Sequence, residues 1–69
     1  MDTYSIERKV PIERQIFTVS LGSNDRGEFL RITESAASRY SNSIVIPIDG
    51  VVDLMVTIAE ILKTTNKIS

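Results

Sequence analysis

Between Gly50 and Thr64 the chain carries Val51, Val52, Leu54, Met55, Val56, Ile58, Ala59, Ile61 and Leu62, while Asp53, Thr57, Glu60 and Thr64 fall at helical spacing on one narrow stripe. A surface helix laid on a single sheet needs an apolar stripe little wider than about a third of its circumference. This segment is apolar around most of its girth, so it requires cover from two sides. Its own sheet can supply one layer. The chain has no further element for the second, and another copy of the chain is the simplest source. The expected interface residues are Val51, Val52, Leu54, Met55, Ile58, Ile61 and Leu62, with Met55 suited to an irregular gap between two helices. The open alternative is a helix covered on one side only, with Val52 and Val56 tolerated at the surface.

Length points the same way. A chain of 69 residues makes one domain with a thin core. Small domains compensate with disulfides, a metal or a partner chain, and the chain has neither Cys nor His. That absence also excludes thiol nucleophiles, imidazole bases and the usual zinc ligand sets. The acids Asp2, Glu7, Glu13, Asp25, Glu28, Glu34, Asp49, Asp53 and Glu60 are scattered, with no ligand loop or catalytic pair among them. Neither an enzyme, nor a cofactor, nor a small-molecule substrate is expected. A net charge of −1 lacks the broad positive field of a duplex-DNA binder. Nucleic-acid contact would therefore be local. With no apolar run long enough for a bilayer and no signal or lipidation motif, the expectation is a soluble protein of nucleus or cytoplasm.

The rest of the chain reads as strands. Tyr4 to Val10 alternates, with Tyr4, Ile6 and Arg8 on one side and Ser5, Glu7 and Lys9 on the other, and Pro11 is expected to limit it. Arg14 to Leu21 places Phe17, Val19 and Leu21 on an inner face. Gly22 to Gly27 is rich in turn formers and predicts a hairpin loop. Glu28 to Glu34 sets Leu30 and Ile32 inward and Phe29, Arg31 and Thr33 outward. Ser35 to Asn42 reads as a loop, and Ser43 to Ile48 as a strand with both faces partly covered, Pro47 marking an edge or exit. Asp49 is the expected N-cap, and Lys63 suits the C-terminal end of the helix dipole. The fold class is α+β: four antiparallel strands, then one C-terminal helix, with Thr65 to Ser69 as a loose tail.

Within this order, Phe17-Thr-Val-Ser-Leu-Gly-Ser-Asn24-Asp-Arg26-Gly27-Glu-Phe29-Leu30-Arg31-Ile32-Thr-Glu34 resembles the core of a PUR repeat of the purine-rich-element-binding proteins. In that family a strand ending in Asn is followed by Arg-Gly, an aromatic, an aliphatic, a basic residue, an aliphatic and Glu. Arg39-Tyr-Ser-Asn42-Ser43-Ile44-Val-Ile46-Pro47 is similar to the family's fourth strand, and the likeness spans about residues 4 to 64, so the whole chain, 1 to 69, reads as one repeat. The resemblance implies a curved four-stranded sheet and helix of PUR-repeat, Whirly-like type, two copies intertwining through their helices into a homodimer. It also implies binding of single-stranded, often purine-rich, DNA or RNA, in transcription or RNA handling. The chain departs from the pattern at Gly22, where a Lys is common, at Glu28, where a basic residue is common, and at Thr18, where an aromatic is common. Its wording is closer to the family's third, dimer-forming repeat.

Binding a single strand requires scattered positive charge and aromatic faces on which bases stack. The candidates are Arg26, Arg31 and Arg39 with Phe29 and Tyr40, joined by Asn24. Each has a plainer reading: Phe29 packed under the loop or against a second copy, Arg31 paired with a carboxylate such as Glu34, Arg26 solvated, and Asn24 bonding its own backbone in a turn. Two functions stand open on these residues, a nucleic-acid-binding homodimer and a dimerisation or scaffold module that touches no nucleic acid.

Overall fold

The structure is a computed structural model and describes residues 1–36 and 41–65. Arg39, Tyr40 and the tail from 66 onward lie outside the described residues. Four strands, β1 (Thr3–Ile12), β2 (Gln15–Asn24), β3 (Gly27–Ala36) and β4 (Ser41–Pro47), form one antiparallel sheet in the order β1-β2-β3-β4, and the helix α1 (Ile48–Thr64) follows. The architecture expected from the sequence is therefore present. Several boundaries move, each for a local reason.

β1 does not stop at Pro11 but runs through it to Ile12. It is an edge strand, so an imide nitrogen there need not deprive a second neighbour of a ladder bond. Glu13 and Arg14 make a two-residue turn, with Glu13 at φ 56°. The expected loop from Gly22 to Gly27 is mostly strand. β2 continues to Asn24, and only Asp25 and Arg26 turn. The Asn24 side-chain oxygen accepts the Arg26 amide at 2.9 Å, the local bond that makes so short a turn possible. Gly27 leaves the turn at φ 122°, a backbone that side-chain-bearing residues rarely adopt. Ser35, Ser41 and Asn42, read as loop, lie in strands, Ser35 and Ser41 facing each other across β3 and β4. Ile48 belongs to the helix rather than to β4.

The register sorts the side chains into two unlike faces. Ile6, Leu21, Leu30 and Ile46 lie in one cross-strand row, Arg8, Val19, Ile32 and Ile44 in the next, then Val10, Phe17, Glu34 and Asn42. Glu7, Ser20, Arg31 and Val45 form a row of the opposite, polar face, followed by Lys9, Thr18, Thr33 and Ser43. The apolar face is left open, with Ile6, Val10 and Ile44 exposed and Phe17, Val19, Leu21, Leu30 and Ile32 only half-buried. β4 is correspondingly less covered than its composition implied, since Val45 on the other face is exposed too.

The helix does not fill this gap. It meets only β3 and β4, and none of its residues is buried. Gly50 and Val51 in the first turn are partly covered, and a β-carbon on Gly50 would sit 4.0 Å from Ile46 Cγ2 on the apolar side. Beyond them Val52 is 65% exposed, Met55 62% and Ile61 59%, and Leu54, Ile58 and Leu62 are exposed as well. The expectation that the chain's own sheet covers one side of the helix is thus wrong for the single chain: α1 projects from the sheet instead of lying back on it. The molecule measures 42 × 33 × 16 Å with a radius of gyration of 14.0 Å, against about 11 Å for a compact chain of this length.

The expected cap is also corrected. Pro47 occupies the N-cap position with no side-chain cap bond, and Asp49 sits inside the first turn, where its charge still suits the helix dipole. At the other end the Thr65 hydroxyl donates to the carbonyls of Ile61 and Leu62, at 3.0 and 3.1 Å, and Lys63 lies in the last turn.

Gly27→Ala is expected to lower stability by about 1–2 kcal/mol, because alanine must adopt the same positive φ. Thermal denaturation should register this as a drop of several degrees; an unchanged midpoint would show that the turn can re-form with ordinary backbone angles.

Candidate nucleic-acid interface

A bulge at Ser5 shapes one end of the polar face. Tyr4 pairs with Gly22 but Ile6 with Leu21, so β1 spends an extra residue against one step of β2. Simple alternation put Tyr4 beside Ile6. The bulge instead turns Tyr4 onto the face of Gly22, Phe29, Ser20 and Arg31 and leaves Ile6 on the apolar side.

Gly22 then admits what a larger residue would exclude. It lies between Tyr4 and Phe29 in the sheet, and a β-carbon there would stand 2.7 Å from Phe29 Cζ and 2.9 Å from Tyr4 Cε1. Both rings settle into the space the missing side chain leaves. Their centroids are 5.8 Å apart at an interplanar angle of 89°, an edge-to-face pair. Phe29 is 6% exposed, the only buried apolar side chain among the described residues, and it lies on the otherwise polar face. Tyr4, at 41% exposed, is its lid.

Arg31 completes the cluster. Its Nη1 donates to the Tyr4 hydroxyl at 2.9 Å across the sheet. This hydrogen bond and the electrostatic interactions with Tyr4 and Asp2 raise the Arg31 pKa above its already high ordinary value. The alternative pairing with Glu34 is not formed: Glu34 faces the apolar side and accepts from Gln15 Nε2. Tyr4, Glu7, Thr18, Ser20, Arg31 and Thr33 line a shallow groove on the polar face. A second depression, at the β2–β3 turn, is lined in part by Asn24, Arg26, Gly27 and Phe29.

The sequence candidates are thus partly gathered. Phe29 and Arg31 share the polar face as expected, and Asn24 and Arg26 stand at its end. Asn24 bonds the Arg26 amide and also donates from Nδ2 to Asp2 at 3.2 Å, so it has a turn-building task. Phe29 is packed beneath a ring rather than open as a platform. Arg39 and Tyr40 lie outside the described residues. Tyr4 was missed as a site residue because a bulge leaves no mark on an alternating pattern. Gly22 counted as a lost lysine, but here it makes room for the aromatic pair.

The sheet is open, with one apolar and one hydroxyl-rich, arginine-bearing face, and the motif Asn24-Asp-Arg26-Gly27-Glu-Phe29 lies at the end of the second face. The chain belongs to the PurA family: the family model described as PurA ssDNA and RNA-binding protein matches residues 2–65. It is also 37% identical over 60 residues to transcriptional activator plp-1 of Caenorhabditis elegans, a match covering 86% of this chain and 26% of that protein. The chain therefore spans about a quarter of that relative's length. No solved structure matches it. Among the described residues no helix is long and apolar enough to cross a membrane.

Gly22→Ala is expected to push the two rings off the strand, expose Phe29 and cost about 1–3 kcal/mol, as overpacking does. Denaturant unfolding together with the Phe29 ring proton shifts measures both effects. Wild-type stability with unmoved ring signals would mean that the glycine is dispensable.

Proposed function

We propose that the chain is half of a single-stranded nucleic-acid-binding domain, completed when two copies lay their helices across each other's open apolar sheet faces. The supporting observation is that the same molecule leaves both surfaces bare. The sheet's apolar rows lack a second layer, and α1 turns Val52, Leu54, Met55, Ile58, Ile61 and Leu62 to solvent. At about 25 cal/mol per Å² of apolar surface removed from water, covering both is the largest stabilisation open to so small a chain. Two copies related by a twofold axis do this with one self-complementary interface.

Pairing leaves the polar faces outward. There Arg31 and, at the turn, Arg26 offer positive charge and Tyr4 offers ring surface to an unpaired strand, and the hydroxyls of Thr18, Ser20 and Thr33 line the groove beside Tyr4 and Arg31. Purine-rich single-stranded DNA or RNA is the ligand class, and the role is in transcription, with action in the nucleus, on the strength of family membership and of the relative's printed name.

The mass in dilute solution should be twice the 7.7 kDa of one chain. Ile58→Lys should split or unfold the pair, since an unpaired charge in a dry interface costs several kcal/mol. A wild-type chain that remains a compact, stably folded monomer would end the pairing proposal. A labelled purine-rich single strand should bind at micromolar concentration or tighter and progressively weaken as salt rises; no binding even at low salt would reduce the function to pairing alone.

A further inference from the structure

We infer that Tyr4, rather than Phe29, is the aromatic on which this chain stacks a base of a bound single strand, with Phe29 as the positioning residue beneath it. The inference rests on the nucleic-acid reading above and names the residue that carries it. It follows from burial and geometry. Stacking needs an open ring face, and Phe29 has none: it is 6% exposed, seated over Gly22 and met edge-to-face by Tyr4. Phe29 also lines the depression at the β2–β3 turn, but little of its surface is exposed.

Tyr4 has what Phe29 lacks. It is 41% exposed, and its ring stands nearly perpendicular to Phe29, at 89°, so the two rings do not cover each other face to face. Its orientation is held at two points, by Phe29 at 5.8 Å between centroids and by Arg31 Nη1 at 2.9 Å from the hydroxyl. A side chain immobilised before binding loses little entropy when the base arrives. Arg31 donates to the hydroxyl oxygen, so the hydroxyl proton is directed elsewhere and can be given to a base or phosphate oxygen, while the guanidinium keeps further N–H groups for a phosphate. Base stack and phosphate contact thus come from one bonded pair of side chains, at the rim of the groove lined by Thr18, Ser20 and Thr33.

The bulge at Ser5 is what places Tyr4 there, so an otherwise similar chain with a regular first strand would point the same tyrosine at the apolar face. The site is a property of this chain's first strand and of Gly22 together.

The test is an NMR titration of the whole wild-type chain with a purine-rich single strand at low salt, following the ring protons of Tyr4 and Phe29, with affinities measured for Tyr4→Ala and Tyr4→Phe. A stacked base should move the Tyr4 ring signals upfield and leave those of Phe29 nearly in place. Tyr4→Ala should weaken binding about tenfold or more. Tyr4→Phe keeps the ring and should retain most of the affinity. Binding that leaves the Tyr4 ring signals unmoved, that shifts Phe29 upfield instead, or that survives Tyr4→Ala undiminished would overturn this assignment while leaving the nucleic-acid function intact. Absence of any binding by the wild type would overturn the function, and this site with it.

Discussion

The constraint behind everything else is a shortage of cover. One chain makes one sheet, and a sheet with an apolar face must bury that face against another layer. The helix α1 leaves β4 through Pro47 and projects outward, and among the described residues the only buried apolar side chain is Phe29, on the opposite side. The radius of gyration of 14.0 Å expresses the same deficit as shape. An apolar sheet face and an apolar helix in one molecule, neither closed by the other, are complementary surfaces that a second copy can join.

That arrangement separates the tasks of the two faces. In the proposed pair the apolar rows through Leu21, Leu30 and Ile46 pack against the second copy, which leaves the rows through Ser20, Arg31 and Thr33 facing outward. The polar face has a small core of its own. Gly22 removes a side chain, Phe29 fills the space, Tyr4 closes over it and Arg31 holds Tyr4 by its hydroxyl. Each member is held by the next, so a loss at any one loosens the others. A chain of net charge −1 lacks a broad positive field to attract a strand, and the proposed interface relies instead on a local cluster of ring and guanidinium.

Much of this was legible beforehand. The alternation of Phe17, Val19 and Leu21, and of Leu30 and Ile32, fixed strands and inner face, because in a sheet with one apolar side each second residue must be apolar. Asn24 and Gly27 marked the turn, though strand propensity could not show that only Asp25 and Arg26 turn, since the Asn24 side-chain bond to the Arg26 amide lets both strands run to its edge. Phe29 and Arg31 were rightly placed on the outer face. The surroundings of Phe29 were out of reach, because they depend on Tyr4 and Gly22, one on the neighbouring strand and one beyond it, brought together only by register.

The sequence by itself determined the element order, the polarity of each sheet face and the excess of apolar surface on the last helix, because periodicity and composition are local and survive whatever the chain does at longer range. Only the tertiary structure decided where the helix goes, which ring lies under which, and which side of the sheet Tyr4 joins. The physical reason is that one inserted residue at Ser5 reverses every side chain before it, and the departure angle after Pro47 decides whether a helix folds back or stands clear. Both are properties of backbone geometry that residue type constrains only weakly.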